Sequence, residues 1–136
     1  MAGRSEKVLT DLFSEYIRRR AVIRCGGCER CGHSKHDLVK DNGLSFPGWK
    51  QLQAAHFIGR NAKNVKWDED NAAGLCGGCH IHAHGHPLDF TEWIKNHLGS
   101  EVYNALIGRW RERSKPDISL LVMYYRQKIK ELTNQS

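Results

Sequence analysis

The chain carries, at positions 76–84, the stretch Cys76-Gly-Gly-Cys79-His80-Ile-His82-Ala-His84. A Cys-x-x-Cys turn places two thiolates on one side of a metal ion. His80 and His84 are four residues apart, so on a helix their side chains share one face and can hold one cation. His82 and His86 offer the same spacing, so the histidine pair alone is a weak signal.

A second pair of cysteines upstream completes a possible zinc site. Cys25-Gly-Gly-Cys28 and Cys28-Glu-Arg-Cys31 compete for this role. We prefer Cys28 and Cys31, because Gly32 directly after the second cysteine permits a tight turn, and Cys25 is then a spare thiol. Free cysteines, a disulfide and a redox pair are the alternatives. Cysteines in paired spacings favour metal in a reducing compartment. The predicted structural zinc ligands are Cys28, Cys31, Cys76 and Cys79.

The bulk composition indicates one small basic domain that covers residues 1–136. Lysine and arginine number 21 against 15 acidic residues, a formal net charge of +6. A positive balance favours a polyanionic partner, because neutralisation of phosphates supplies most non-specific affinity for nucleic acid. The sequence has no apolar run that could span a bilayer, and its start lacks the apolar core of a signal peptide. A cytosolic location is therefore expected.

The order of apolar and turn residues predicts an α+β fold. Apolar residues at helical spacing predict an N-terminal helix over residues 5–21. The cysteine- and histidine-rich core motif spans residues 25–86, with a strand over residues 49–57 that bears His56 and a helix that begins near His80. A helical part follows over residues 89–133, and Asp89-Phe-Thr-Glu92 has the pattern of a capping box at its start.

One further set of residues connects the two cysteine pairs to chemistry. His56, Asn71, His80 and His84 follow one another at intervals of 15, 9 and 4 residues. This order resembles the HNH, or ββα-metal, nuclease family over about residues 28–84. The cysteine frame with Ala-His-Phe at positions 55–57 is similar to phage HNH proteins, including recombination endonucleases of the NinG (Rap) type.

The resemblance implies a zinc-stapled ββα-metal unit between flanking helices and a metal-dependent DNA endonuclease. It implies that His56 is the general base, a role that suits imidazole because its pKa lies near neutral pH. His80 and His84 match ligands of a catalytic divalent metal such as Mg²⁺, Mn²⁺, Ni²⁺ or Zn²⁺. Asn71 matches the middle catalytic residue, which either pins the loop that carries the base or binds the metal. DNA, including branched DNA, is the implied partner, in phage DNA recombination or processing.

The sequence departs from the family pattern at one position. The residue before the base is often an Asp or His that binds the metal, whereas this chain has Ala55. The ligand count is therefore open, and Asn71, His82 or water can complete it.

Five basic residues are candidates for contacts to DNA phosphates. Three of them, Arg18, Arg19 and Arg20, form a run near the predicted end of the first helix, where cations suit the helix dipole. The run is equally typical of a solvated helix end. Arg60 and Lys63 lie in a basic stretch between His56 and Asn71. Such contacts give affinity rather than sequence readout.

Two other classes of function fit part of the sequence. A non-catalytic zinc module that binds nucleic acid needs the four thiolates but has no use for His56 beside His80. A zinc-thiolate redox or sensor protein would use Cys25 and would not need the basic balance. The preferred DNA structure, nicking or double-strand cleavage, and the oligomeric state are not encoded in any recognisable motif.

Overall fold

The computed structural model describes residues 2–39, 41–59 and 61–134 of the chain. Within these ranges it has six helices and four strands, which in chain order are α1 (Ala2–Cys25), β1 (Leu38–Val39), β2 (Ser45–Phe46), β3 (Gln53–His56), α2 (Lys63–Lys66), β4 (Ala72–Leu75), α3 (Gly77–Gly85), α4 (Pro87–Leu98), α5 (Ser100–Glu112) and α6 (Ile118–Asn134). The strands form two small antiparallel sheets, β1 with β2 and β3 with β4. The predicted α+β class is confirmed, with helices in the majority.

Helix α1 is longer than the predicted helix over residues 5–21 and continues to Cys25. Its buried face includes Leu9, Phe13 and Ile17, which recur at the four-residue spacing of one helical side. This face packs against α6, where Tyr125 is buried in the same cluster. The arginine run at 18–20 therefore lies inside a helix rather than at its end.

The β3–β4 pair supplies the platform for the histidines. Its register pairs Gln53 with Leu75 and His56 with Ala72. The predicted strand over residues 49–57 is too long at its start, because Pro47 precedes a 3₁₀ turn at Gly48–Gln51. On the partner strand β4, a Cβ added at Gly74 would lie 2.6 Å from the Cβ of Ala21 in α1. Glycine at this position lets the sheet approach the helix closely.

Two helix starts differ from the sequence prediction. Helix α3 begins at Gly77, directly after Cys76, so Cys79 and both candidate metal histidines share one helix. Helix α4 begins at Pro87 rather than at Asp89, and no side chain caps it. The capping-box prediction is wrong because proline, whose φ angle suits the first helical position, starts the helix earlier. In the described part of the chain, no helix has the length and apolar character that membrane crossing requires.

Candidate functional site

The four predicted cysteines come together at one point. The sulfur atoms of Cys28, Cys31, Cys76 and Cys79 all lie within 4.8 Å of one another. The Sγ atoms of Cys31 and Cys76 are 3.8 Å apart, and a tetrahedron with Zn–S bonds of about 2.3 Å has edges of about 3.8 Å. The donor set and its spacing therefore fit a structural zinc ion.

Cys25 lies outside this cluster. It is the last residue of α1, and its thiol donates to the carbonyl oxygens of Ala21 at 3.2 Å and Gly27 at 3.3 Å. The helix thus directs Cys25 toward its own backbone, while the chain reverses at Gly26 with a φ of +75° before it reaches Cys28. The upstream pair in the cluster is therefore Cys28 and Cys31, the pair that the position of Gly32 predicted.

The thiols of the cluster differ in acidity. Burial opposes ionisation of Cys28, but amide hydrogen bonds, the first from Cys31, outweigh it and lower the Cys28 pKa to about 7. Burial raises the pKa of Cys79 to about 12, although the Arg30 guanidinium, 3.6 Å from its sulfur, acts in the opposite direction. Four adjacent thiolates need a cation, so zinc binding must release protons and weaken as the pH falls.

A buried carboxylate between the first two cysteines anchors this turn to the sheet. The Glu29 side chain is 1% exposed, and its Oε2 accepts from the Gly74 amide at 2.6 Å. Its other oxygen lies 3.2 Å from Nε2 of His97 in α4. Burial would raise the Glu29 pKa, but the His97 and Gly74 hydrogen bonds lower it. Sequence reasoning missed Glu29, although an acidic residue between two metal thiolates is an available signal.

His56 ends β3 and is held by a carbonyl group. Its Nε2 lies 2.8 Å from the carbonyl oxygen of Lys66. A carbonyl only accepts, so Nε2 carries a proton, and in the neutral form of the ring the lone pair is on Nδ1. The ring also stacks on Phe13 of α1, with centroids 5.6 Å apart. Both contacts fix the orientation that a general base requires.

Asn71 holds the segment between His56 and α2. The residue is fully buried; its Oδ1 accepts from the Ile58 amide, and its Nδ2 donates to the carbonyls of Ile58 and Val65 at 3.1 and 3.0 Å. These bonds occupy the side chain inside the protein. Of the two roles that the sequence left open for Asn71, these bonds agree with the loop-pinning one.

His80 and His84 face each other on α3. Their Nε2 atoms are 3.1 Å apart. Two nitrogens bound to one metal at about 2.0–2.1 Å are separated by about 2.9 Å at a right angle and about 3.4 Å in a tetrahedron. The pair therefore fits a shared divalent ion. A hydrogen bond joins Nδ1 of His80 to Oε1 of Gln53, and Nε2 of the same ring faces His84. Metal-binding histidines commonly have such a hydrogen-bond partner on the ring nitrogen that does not bind the metal.

His82 takes no part in this arrangement. Its ring stacks on His86 with centroids 4.1 Å apart, on a different side of α3 from the His80–His84 pair. Ala55 is buried beside the pair and offers no donor. Of the candidate ligands of a catalytic metal, His80 and His84 are therefore the two that the structure brings together.

One cleft of about 220 Å³ brings the three candidate histidines together. His56 lines it from β3, and His80 and His84 line it from α3. Ala83 and Phe90 supply apolar walls. A group bound between the two α3 histidines would therefore share the cleft with the His56 ring.

The predicted phosphate contacts divide into three groups. Arg18 and Arg19 are half-buried, with guanidinium carbons 4.8 and 4.5 Å from the centre of the Trp49 ring. Arg20 is only 6% exposed, and its guanidinium donates to the carbonyls of Glu69 and Ala72. Lys63 is exposed, 3.4 Å from a carboxylate oxygen of Glu6, and Arg60 lies outside the described residues.

Comparison of the chain with known proteins identifies no relative. No protein-family model, curated protein or solved structure matches the chain. The four-cysteine cluster and the three-histidine cleft therefore carry the functional argument by themselves.

Proposed function

We propose that this protein is a metal-dependent DNA endonuclease of the HNH type. The observation that carries the proposal is the shared cleft, in which His56, held through Nε2 by a carbonyl, accompanies two imidazoles spaced for one metal. A non-catalytic zinc module would need the cysteine cluster alone. The order β3, β4, α3, with His56 on the first strand and His80 on the helix, agrees with the ββα-metal unit that the sequence resembles.

The residues divide the chemistry of phosphodiester hydrolysis between them. His56 accepts a proton from the attacking water at Nδ1, and the Lys66 carbonyl stabilises the resulting imidazolium through Nε2. His80 and His84 hold the divalent ion, and Gln53 orients His80. The ion, when bound, stabilises negative charge on the scissile phosphate and on the departing 3′ oxygen. Because the protein supplies two ligands, positions remain for water and phosphate oxygens.

Cleavage of plasmid DNA tests this proposal directly. We expect the purified protein to convert supercoiled DNA to nicked or linear forms with one or more of Mg²⁺, Mn²⁺, Ni²⁺ and Zn²⁺, and to lose that activity when the ion is withheld. Linear duplex, D-loop and Holliday-junction substrates in parallel reveal whether branched recombination intermediates are preferred. DNA binding without cleavage under any of these ions would instead favour the non-catalytic zinc module.

Arg18 and Arg19 are half-buried beside Trp49, with Arg19 also 2.8 Å from a carboxylate oxygen of Glu15, and we expect both to contact DNA phosphates. Replacement of both by glutamine should weaken DNA binding and reduce the slope of log affinity against log salt by about one to two, because each phosphate contact releases about one counterion. Binding is measured by titration at several salt concentrations. The matched control is the double replacement of Arg111 and Arg126, which are exposed on α5 and α6. An unchanged salt slope would make the pair part of a solvated helix face.

A further inference from the structure

A second cleft, of about 320 Å³, lies between α1, α2 and the segment 113–117 that joins α5 to α6. Three cationic side chains line it, those of Lys63, Arg113 and Lys115, against the single carboxylate of Glu6. Trp67 contributes an apolar wall. A concave site with this excess of positive charge attracts anions.

Arg113 occupies an unusual backbone conformation in this cleft. Its φ of 59° and ψ of 29° are left-handed, and among the described residues it is the one non-glycine residue with a positive φ. Helices commonly end with glycine at such a position, because a Cβ is strained there. The Arg113 guanidinium lies 5.7 Å from the centre of the Trp110 ring. Strained residues of this kind concentrate at binding sites.

Helix α2 connects this cleft to the active site. Asn64 of α2 donates to the carbonyls of Arg109 and Trp110 at 3.0 and 2.8 Å, which fixes α2 against the end of α5. Lys63 begins α2, and Lys66, whose carbonyl holds His56, ends it. Four helical residues span about 6 Å. Lys63, which lines the cationic cleft, and the Lys66 carbonyl, which holds His56, therefore belong to one helical turn.

A third cleft has lining residues in common with both of these clefts. A smaller cleft of about 180 Å³ shares His56 with the active-site cleft and Trp67 with the cationic cleft. Lys66 lines this intermediate cleft as well. The cationic cleft and the His56 cleft are thus separated by one small cleft, and a polymer is long enough to contact both, whereas a small anion is not.

We propose that the cationic cleft binds a backbone phosphate of the DNA substrate at a distance from the scissile phosphodiester. This inference rests on the proposed nuclease function and deepens it by assigning Lys63, Arg113 and Lys115 to substrate positioning. The contact is equally strong in the ground state and the transition state, so it contributes to affinity rather than to the chemical step.

The test compares two triple variants in a His56→Ala background, in which DNA binding is measured without cleavage. Lys63→Gln, Arg113→Gln and Lys115→Gln should together weaken binding of a labelled duplex roughly tenfold at about 0.15 M salt and lower the salt slope by about one. The control triple, Arg126→Gln, Lys128→Gln and Lys130→Gln on α6, removes the same charge and should have a much smaller effect. In the active chain, the first triple should raise KM and leave kcat unchanged.

Arg113→Gly separates binding from folding. Glycine relieves the left-handed strain, so the melting temperature should stay level or rise while duplex binding weakens several-fold. Equal effects of the two triples, or wild-type binding by Arg113→Gly, would overturn the assignment of this cleft and leave the nuclease proposal intact. A His56→Ala chain that binds no DNA would contradict both.

Discussion

The His56→Ala protein is expected to lose nearly all DNA cleavage while it retains its zinc, its fold and its affinity for DNA. General-base catalysis contributes on the order of a hundred- to ten-thousandfold to a rate, and the described cleft has no second base in the position of the His56 ring. The measurement is the initial rate of plasmid nicking under the best metal. Zinc content and thermal melting of the same preparation verify that the protein remains folded.

A second substitution separates the chemical role of His56 from its structural contacts. The ring stacks on Phe13 and donates to the Lys66 carbonyl, so alanine also removes packing. His56→Gln retains an N–H donor for Lys66 but has no basic nitrogen, and it should be as inactive as His56→Ala. His36→Ala, an exposed histidine outside the cleft, is the matched control and should cleave normally. Wild-type rates for His56→Gln would reject this base and favour the non-catalytic zinc module.

Variants of the two α3 histidines, His80 and His84, should lose cleavage activity for a different reason. His80→Ala should abolish cleavage because the reactive metal is lost, so its affinity for the catalytic metal should fall, whereas that of His56→Ala should not. His84→Ala should be milder, since water can replace one ligand in a site to which Ala55 contributes none. Titration of the metal by calorimetry distinguishes these outcomes.

Local spacing is what made much of the site predictable. Each Cys-x-x-Cys turn fixes two thiols within four residues, and the His80–His84 spacing fixes one face of a helix. Gly32, directly after Cys31, indicated Cys31 rather than Cys25 as the partner of Cys28, and the cysteine cluster contains Cys31. The α1–α6 packing was also foreseeable in kind, because the apolar residues of both helices recur at helical spacing.

Contacts between residues far apart in the sequence were not predictable in this way. Gln53 reaches His80 across 27 positions, and Glu29 reaches His97 across 68. Nothing in the sequence near Gln53 or Glu29 indicates which distant histidine each one contacts. Arg20 is the instructive case, because a run of three arginines looks uniform. Position 20 falls four residues after the buried Tyr16 and three after Ile17, so helical periodicity places it on the core side of α1.

Removal of zinc is expected to melt the first cysteine turn and α3, which begins directly after Cys76 and carries Cys79, while the α1–α6 pair keeps its helical structure. Cys28 and Cys79 belong to the core cluster under β3 and β4, whereas the α1–α6 cluster contains no cysteine. Structural zinc contributes about 10–16 kcal/mol in zinc-finger peptides at neutral pH, which is comparable to the whole stability of a small domain of about 5–15 kcal/mol. The loss should therefore unfold every segment that depends on the metal cross-link.

Hydrogen exchange before and after chelation measures which amides lose protection, and elemental analysis counts the zinc. Cys28→Ser should lose zinc and give the same exchange pattern as chelation, because serine cannot replace a thiolate ligand. Cys25→Ser is the matched control: its hydroxyl can still donate to the Ala21 carbonyl that the thiol contacts, so zinc content and melting should be unchanged. Zinc lost from Cys25→Ser and kept by Cys31→Ser would show that Cys25 and Cys28, the other pair, bind the metal.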